Sequence, residues 1–145
     1  VERTHDASHR RRSGGGGDVL YPVLAGRLSI ALHSSDEETQ SMIRLHPQLF
    51  YFSCSAQESY TPYCCDFGPV SVADVIEFCR FVDDKVSDTR LANRHLVYYV
   101  TDVPEFVTNS AFLFAAWLKL SQGWSAEYAS APFSGDAGIA CKVMP

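Results

Sequence analysis

Five cysteines (Cys54, Cys64, Cys65, Cys79 and Cys141) are the candidate nucleophiles of this sequence, and none stands where covalent chemistry at a phosphate ester needs it. Such chemistry calls for a thiol leaving a buried strand, glycines in the turn, and an Arg six positions after the Cys to clamp the phosphate bidentately. Six positions after Cys54, Cys64, Cys65 and Cys79 stand Tyr60, Val70, Ser71 and Lys85. The place to expect an anion cradle is a buried strand running into a buried helix, whose first N–H groups are free and partly positive. Residues 95–100 read as that strand and residues 109–120 as that helix, with Thr101-Asp102-Val103-Pro104-Glu105-Phe106-Val107-Thr108 between them. The connection has no Cys, Gly or Arg. Thr101, Asp102, Glu105, Thr108 and Asn109 are therefore expected to form a degenerate phosphate loop, in which two carboxylates repel phosphate and Pro104 removes one donor.

Other chemistries fare no better. There is no Gly-x-Ser-x-Gly, no P-loop lysine and no Gly-x-Gly-x-x-Gly; residues 14–17 are four glycines with no following Lys-Ser/Thr, and read as linker. No Cys-x-x-Cys pair exists, and His5, His9, His33, His46 and His95 lack ligand spacing, so no metal site and no cofactor are expected. An odd number of cysteines in a core-rich chain points to reduced thiols and an intracellular protein of cytoplasm or nucleus. Cys64 and Cys65 read as packing rather than as redox groups.

The elements that must position these residues belong to one domain of 145 residues, 46% hydrophobic. Residues 1–18 read as a disordered basic and Gly-rich tail, residues 19–145 as the folded part. Val1 and Pro145 suggest a fragment. No apolar run is long enough to span a bilayer, and no membrane contact is expected. The net charge is −5, and residues 1–12 contribute +2, leaving −7 on the remainder. That disfavours nucleic acid and favours a basic partner.

Residues 20–32 read as one or two short strands turning at Gly26-Arg27, residues 34–40 as a polar loop, and residues 48–54 as a strand. Ser71 with Asp74 forms a capping-box-like helix start, and Val72, Val75, Ile76, Cys79, Val82 and Val86 recur as one apolar face. A last short helix starts at Ser125. Strands alternate with helices, so the fold class is α/β, a central sheet flanked by helices.

Several segments resemble the N-terminal domain of Cdc-fourteen-type dual-specificity phosphatases. They are Tyr51-Phe52-Ser53, Asp66-Phe67-Gly68-Pro69-Val70, Phe78-Cys79-Arg80, Leu96 to Asp102, Asn109-Ser110-Ala111-Phe112-Leu113 and Pro132-Phe133. The resemblance runs from about Leu20 to Val143. It implies a tyrosine/dual-specificity-phosphatase-like fold and a parent whose C-terminal catalytic domain carries the Cys-x5-Arg loop. It also implies a non-catalytic N-terminal half that helps form an acidic groove, and phosphoprotein substrates with a basic residue shortly after a phosphoserine–proline bond. Family members start the last short helix with a Pro-Glu-Glu-like sequence; here it reads Ser125-Ala126-Glu127, so Glu127 alone carries over as a substrate-binding residue. After Pro132-Phe133, Ser134-Gly135-Asp136 replaces the usual Arg-Asp.

Each assignment has a plainer rival. Glu127 also suits a helix first turn, where the dipole favours acids. Asp66 to Pro69 reads as a helix-entry turn, Trp117 as core, and Trp124 as core or as a contact with a neighbouring domain. Two further readings stay open: a free-standing pseudophosphatase adaptor that binds protein partners, and an enzyme with an unrecognised site.

Overall fold

The computed structural model describes residues 17–58 and 70–134. Strand β1 (Tyr21–Leu24) turns at Gly26 into β2 (Leu28–His33). Gly26 has φ +73°, a left-handed conformation that favours glycine. Helix α1 (Asp36–Leu45) follows, then β3 (Leu49–Phe52) and a 3-10 turn, Ala56–Glu58. Helix α2 (Val72–Ser87) and a 3-10 turn, Thr89–Leu91, lead to β4 (His95–Thr101). Helix α3 (Pro104–Leu120), helix α4 (Ala126–Ser130) and a 3-10 turn, Ala131–Phe133, complete the described chain.

The sheet has the order β1-β2-β4-β3, so β4 lies between two parallel neighbours while β1 pairs antiparallel at the edge. Parallel partners in register point their side chains the same way, and this divides the sheet into two unlike faces. Leu28, Ile30, Phe52, Leu96, Tyr98 and Val100 share the face that meets α2 and α3, and all are buried. There Tyr98, Phe78 and Phe114 pack edge to face, with centroids 4.9–5.7 Å apart, and Phe114 meets Trp117 at 6.5 Å. Trp117 is fully buried, as expected of a core residue, and its indole N–H donates to Asp83 at 2.8 Å. Ser121 donates to the same carboxylate at 3.1 Å, tying α3 to α2. The opposite face carries Ser29, Ala31, His33, Tyr51 and Tyr99 and meets the smaller α1.

Three expectations need correction. Residues 34–40 are not a loop: Ser35 accepts the N–H of Glu38 at 3.1 Å, and Asp36, Glu37 and Glu38 form the first turn of α1. The acids that look like loop residues are favoured there by the helix dipole. Thr39 is the sole buried residue of α1, so hydrophobic periodicity has little to reveal. Helix α3 starts at Pro104, five residues before Asn109. Proline at the first helical position loses no helical hydrogen bond and already has the right φ. On α2 the Ser71–Asp74 capping box is present, yet Val72 is 76% exposed and Ile76 45%. Cys79 and Val82 are buried and Val75 and Val86 pack on the core as expected, while Phe78 completes the stripe in place of Val72 and Ile76.

Arginines close the bottom of the sheet. Arg27 donates to the carbonyls of Val86, Leu91 and Arg94, at the C-terminal end of α2 and just beyond it, where a cation complements the helix dipole. Arg94 donates to Pro47, Gln48 and Leu49. Beside them the His95 ring nitrogen Nε2 lies 2.9 Å from Ser29 Oγ. No described helix is long and apolar enough to cross a membrane.

Partial burial, with the Arg27 guanidinium nearby, pushes His95 below the ordinary imidazole range. A histidine depressed on folding contributes stability above its unfolded pKa of about 6.5, and loses it as the pH falls through that value. Urea denaturation is expected to show stability falling between pH 7.5 and 5.5, with a shallower fall in His95→Gln.

Candidate site at the carboxyl end of the sheet

In open α/β sheets, ligands sit beyond the carboxyl ends of the strands. Here the central strand β4 ends at Thr101 and α3 begins at Pro104, so the connection is Asp102 and Val103 alone. Its backbone donors are spent: Asp102 N–H donates to the His33 carbonyl at 2.9 Å and Val103 N–H to the Thr101 carbonyl at 2.7 Å. Pro104 has no N–H. Thr101, Asp102 and Glu105 are exposed at this rim.

The structure separates the five predicted loop residues. Thr101 ends the strand and Asp102 lies in the turn, but Glu105, Thr108 and Asn109 are helical. Thr108 Oγ donates back to the Pro104 carbonyl at 2.9 Å, the usual local bond of a helical threonine. Asn109 is buried, and its amide donates to the Gln57 carbonyl at 3.2 Å. Asn109 therefore anchors the 3-10 turn 56–58 rather than a ligand.

On the β3 side, a polar cluster lies under the rim. Tyr98 OH donates to Gln57 Oε1 at 2.6 Å and lies 3.2 Å from Cys54 Sγ, while Ser53 Oγ donates to the Tyr99 carbonyl at 2.6 Å. Burial, then Cys54, pushes the Tyr98 phenol above its ordinary range, so it stays protonated and serves as a donor. On the β2 side, His33 Nε2 lies 2.8 Å from Asp18 Oδ2 and His33 Nδ1 2.9 Å from Thr39 Oγ. Tyr51 OH donates to the same Asp18 oxygen at 2.9 Å; burial and that carboxylate raise the phenol above its usual range. An ionised carboxylate only accepts, so His33 Nε2 carries the proton facing Asp18. No motif in the sequence marks these clusters. The 3-10 turn brings Gln57 to Tyr98, and strand order brings His33 beside Tyr51, which residue spacing does not report.

Glu127 is exposed on α4, its carbonyl accepting from Ser130 Oγ at 3.1 Å. It follows the far end of α3, a helix of 17 residues and so about 25 Å long at the standard rise; the rim at Asp102 lies at the near end. Trp124 is half-buried and packs on the core. Gly123 makes the sharp turn into this segment with φ +73°. Cys79 is buried, and burial followed by the charge of Asp83 raises its thiol, the wrong direction for a nucleophile. Cys64, Cys65, Cys141 and the Asp66 to Pro69 turn lie outside the described residues. Among the described residues, no group of three or more His, Cys, Asp or Glu is placed to hold a metal ion.

A mixed α/β sheet of this order, with its central strand passing directly into a buried helix, defines the class, and the comparisons define the family. Residues 22–140 match the family described as "Dual specificity protein phosphatase, N-terminal half", and the chain belongs to it. It is 29% identical over 92 residues to the tyrosine-protein phosphatase CDC14 homolog of Schizosaccharomyces pombe, covering 62% of this chain and 17% of that protein. It is 24% identical over 112 residues to the dual specificity protein phosphatase CDC14C of Homo sapiens, covering 77% and 24%. It is 30% identical over 78 residues to CDC14A of Mus musculus, covering 54% and 12%. The matches thus span less than a quarter of the length of these relatives.

Asn109→Ala removes a buried donor and strands the Gln57 carbonyl, so a loss of about 1–3 kcal/mol is expected in urea denaturation. Thr108→Ala, which removes one local bond, is expected to change stability by about 0.5 kcal/mol or less.

Proposed function

We propose that this domain is the non-catalytic half of a dual-specificity protein phosphatase, and that it contributes an acidic surface for recognising phosphoprotein substrates with a nearby basic residue. The observation that carries this reading is the β4–α3 connection. It is two residues long, both its N–H groups are spent on the sheet and turn, and proline follows. A phosphate cradle needs several convergent N–H donors and a thiolate. The turn instead carries Asp102 and Glu105 at its rim, in keeping with a degenerate phosphate loop. Thiol chemistry then falls to a C-terminal catalytic domain of the parent chain, as the family's name for its N-terminal half suggests.

Recognition is electrostatic in this reading. The chain outside its first twelve residues carries −7, the total of −5 being offset by +2 there, and Glu127 is the acid that matches the family's groove helix. A Lys or Arg downstream of the phosphoserine is drawn to such a surface, and salt weakens the attraction. Substrates of this kind place the protein inside the cell, in cytoplasm or nucleus.

Two measurements test the proposal. The purified chain is expected to leave an aryl phosphate unhydrolysed and to bind tungstate no better than bulk protein does. Turnover abolished by changing Thr101 or Asp102, or tungstate held tightly at that turn, defeats it. A phosphopeptide with Lys after phosphoserine–proline is expected to bind this chain several-fold more tightly than its Lys→Ala version. That preference should shrink in Glu127→Lys and at high salt; equal binding of the two peptides removes the acidic-surface part of the reading.

A further inference from the structure

We propose that Asp18 is the peg of a latch, seated in a socket made by His33 and Tyr51, and that withdrawing it frees the edge strand β1 while the remaining core stays folded. Beyond this contact β1 is weakly held. The strand is four residues long, its pairing slips between Pro22 and Leu24, and Pro22 has no N–H for the ladder. Val23 is its one fully buried side chain, and Tyr21 and Leu24 pack partly buried against the core. Its other neighbour is the short 3-10 turn at residues 131–133.

The socket is far better built than the strand it serves. His33 is 2% exposed and the Asp18 side chain 7%. The imidazole is held by Thr39 from α1, stacked on Tyr99 of β4 at 6.0 Å and 17°, and tilted 40° to Tyr51 of β3. One carboxylate oxygen from the segment entering β1 thus meets two donors, His33 Nε2–H and Tyr51 OH, fixed by separate strands. Without Asp18 the buried His33 N–H and the half-buried Tyr51 OH both lose their acceptor, a state that local opening relieves by admitting water. The opening stays local because β4 and α3 are held by the apolar face, which the latch does not touch. It also turns β2 into an edge strand, with backbone groups able to pair with another strand.

Amide hydrogen exchange on the whole chain tests the latch. Asp18→Ala is expected to speed exchange at Tyr21, Val23 and Leu24 by about tenfold to hundredfold, the equivalent of losing hydrogen bonds to a charged group. Leu96 to Val100 should keep their protection. Tyr51→Phe, which leaves the His33–Asp18 contact in place, should give a smaller increase at the same three amides. Unchanged β1 exchange in either variant overturns the proposal. So does equal acceleration in β4, or failure of Asp18→Ala to fold, since either means that the pair supports the whole core.

Discussion

The hydrogen bond from Asp102 N–H to the His33 carbonyl constrains the whole rim of this domain. It extends the β2–β4 ladder one residue past Thr101, so the chain stays on the sheet until two residues before α3. At this exit β4 is held by β2, its pairing with β3 having ended at Phe52 and Tyr98. Of the two N–H groups in the connection, one continues the ladder and the other closes a turn on Thr101.

Buried polar groups lie on both faces of the sheet, Gln57 and Asn109 beside Tyr98, and Ser29, His33 and Thr39 on the α1 side. Helices α2 and α3 present a wide aromatic surface to Tyr98, and burial there leaves room for few polar atoms. Helix α1 buries only Thr39, so the face beneath it tolerates Ser29, His33 and Tyr99, provided each finds a partner. His33 meets Asp18 and Thr39, while Ser29 meets His95. A sheet covered unequally on its two sides thus buries a large aromatic core with one polar cluster at its edge on one face, and a thinner, more polar layer on the other.

Much of this was legible in the sequence where a local signal and the tertiary fold agree. The hairpin at Gly26, the strands around residues 50 and 98, the Ser71 capping box and the Ser125 cap all rest on short-range chemistry that tertiary packing leaves alone. Legibility failed where the local signal was ambiguous. An acidic run such as Asp36-Glu37-Glu38 suits both a loop and a helix N-terminus, and only Ser35 before it decides. Pro104 suits both a loop and a first helical turn, and assigning it to the loop stretched a two-residue connection to eight. The His33 and Tyr98 clusters were invisible because, Thr39 apart, their members lie 15 to 52 residues from their partners. Contacts at such separations are set by strand order, and the hydrophobic pattern of a parallel sheet does not encode strand order.

The altered rim also changes what the surface is permitted to be. A phosphate-binding turn must exclude carboxylates, because each one opposes the anion at short range through poorly screened space. Here Asp102 and Glu105 stand exposed at the entrance of α3, where the helix dipole favours them. Stability and negative surface charge therefore pull in the same direction at this rim.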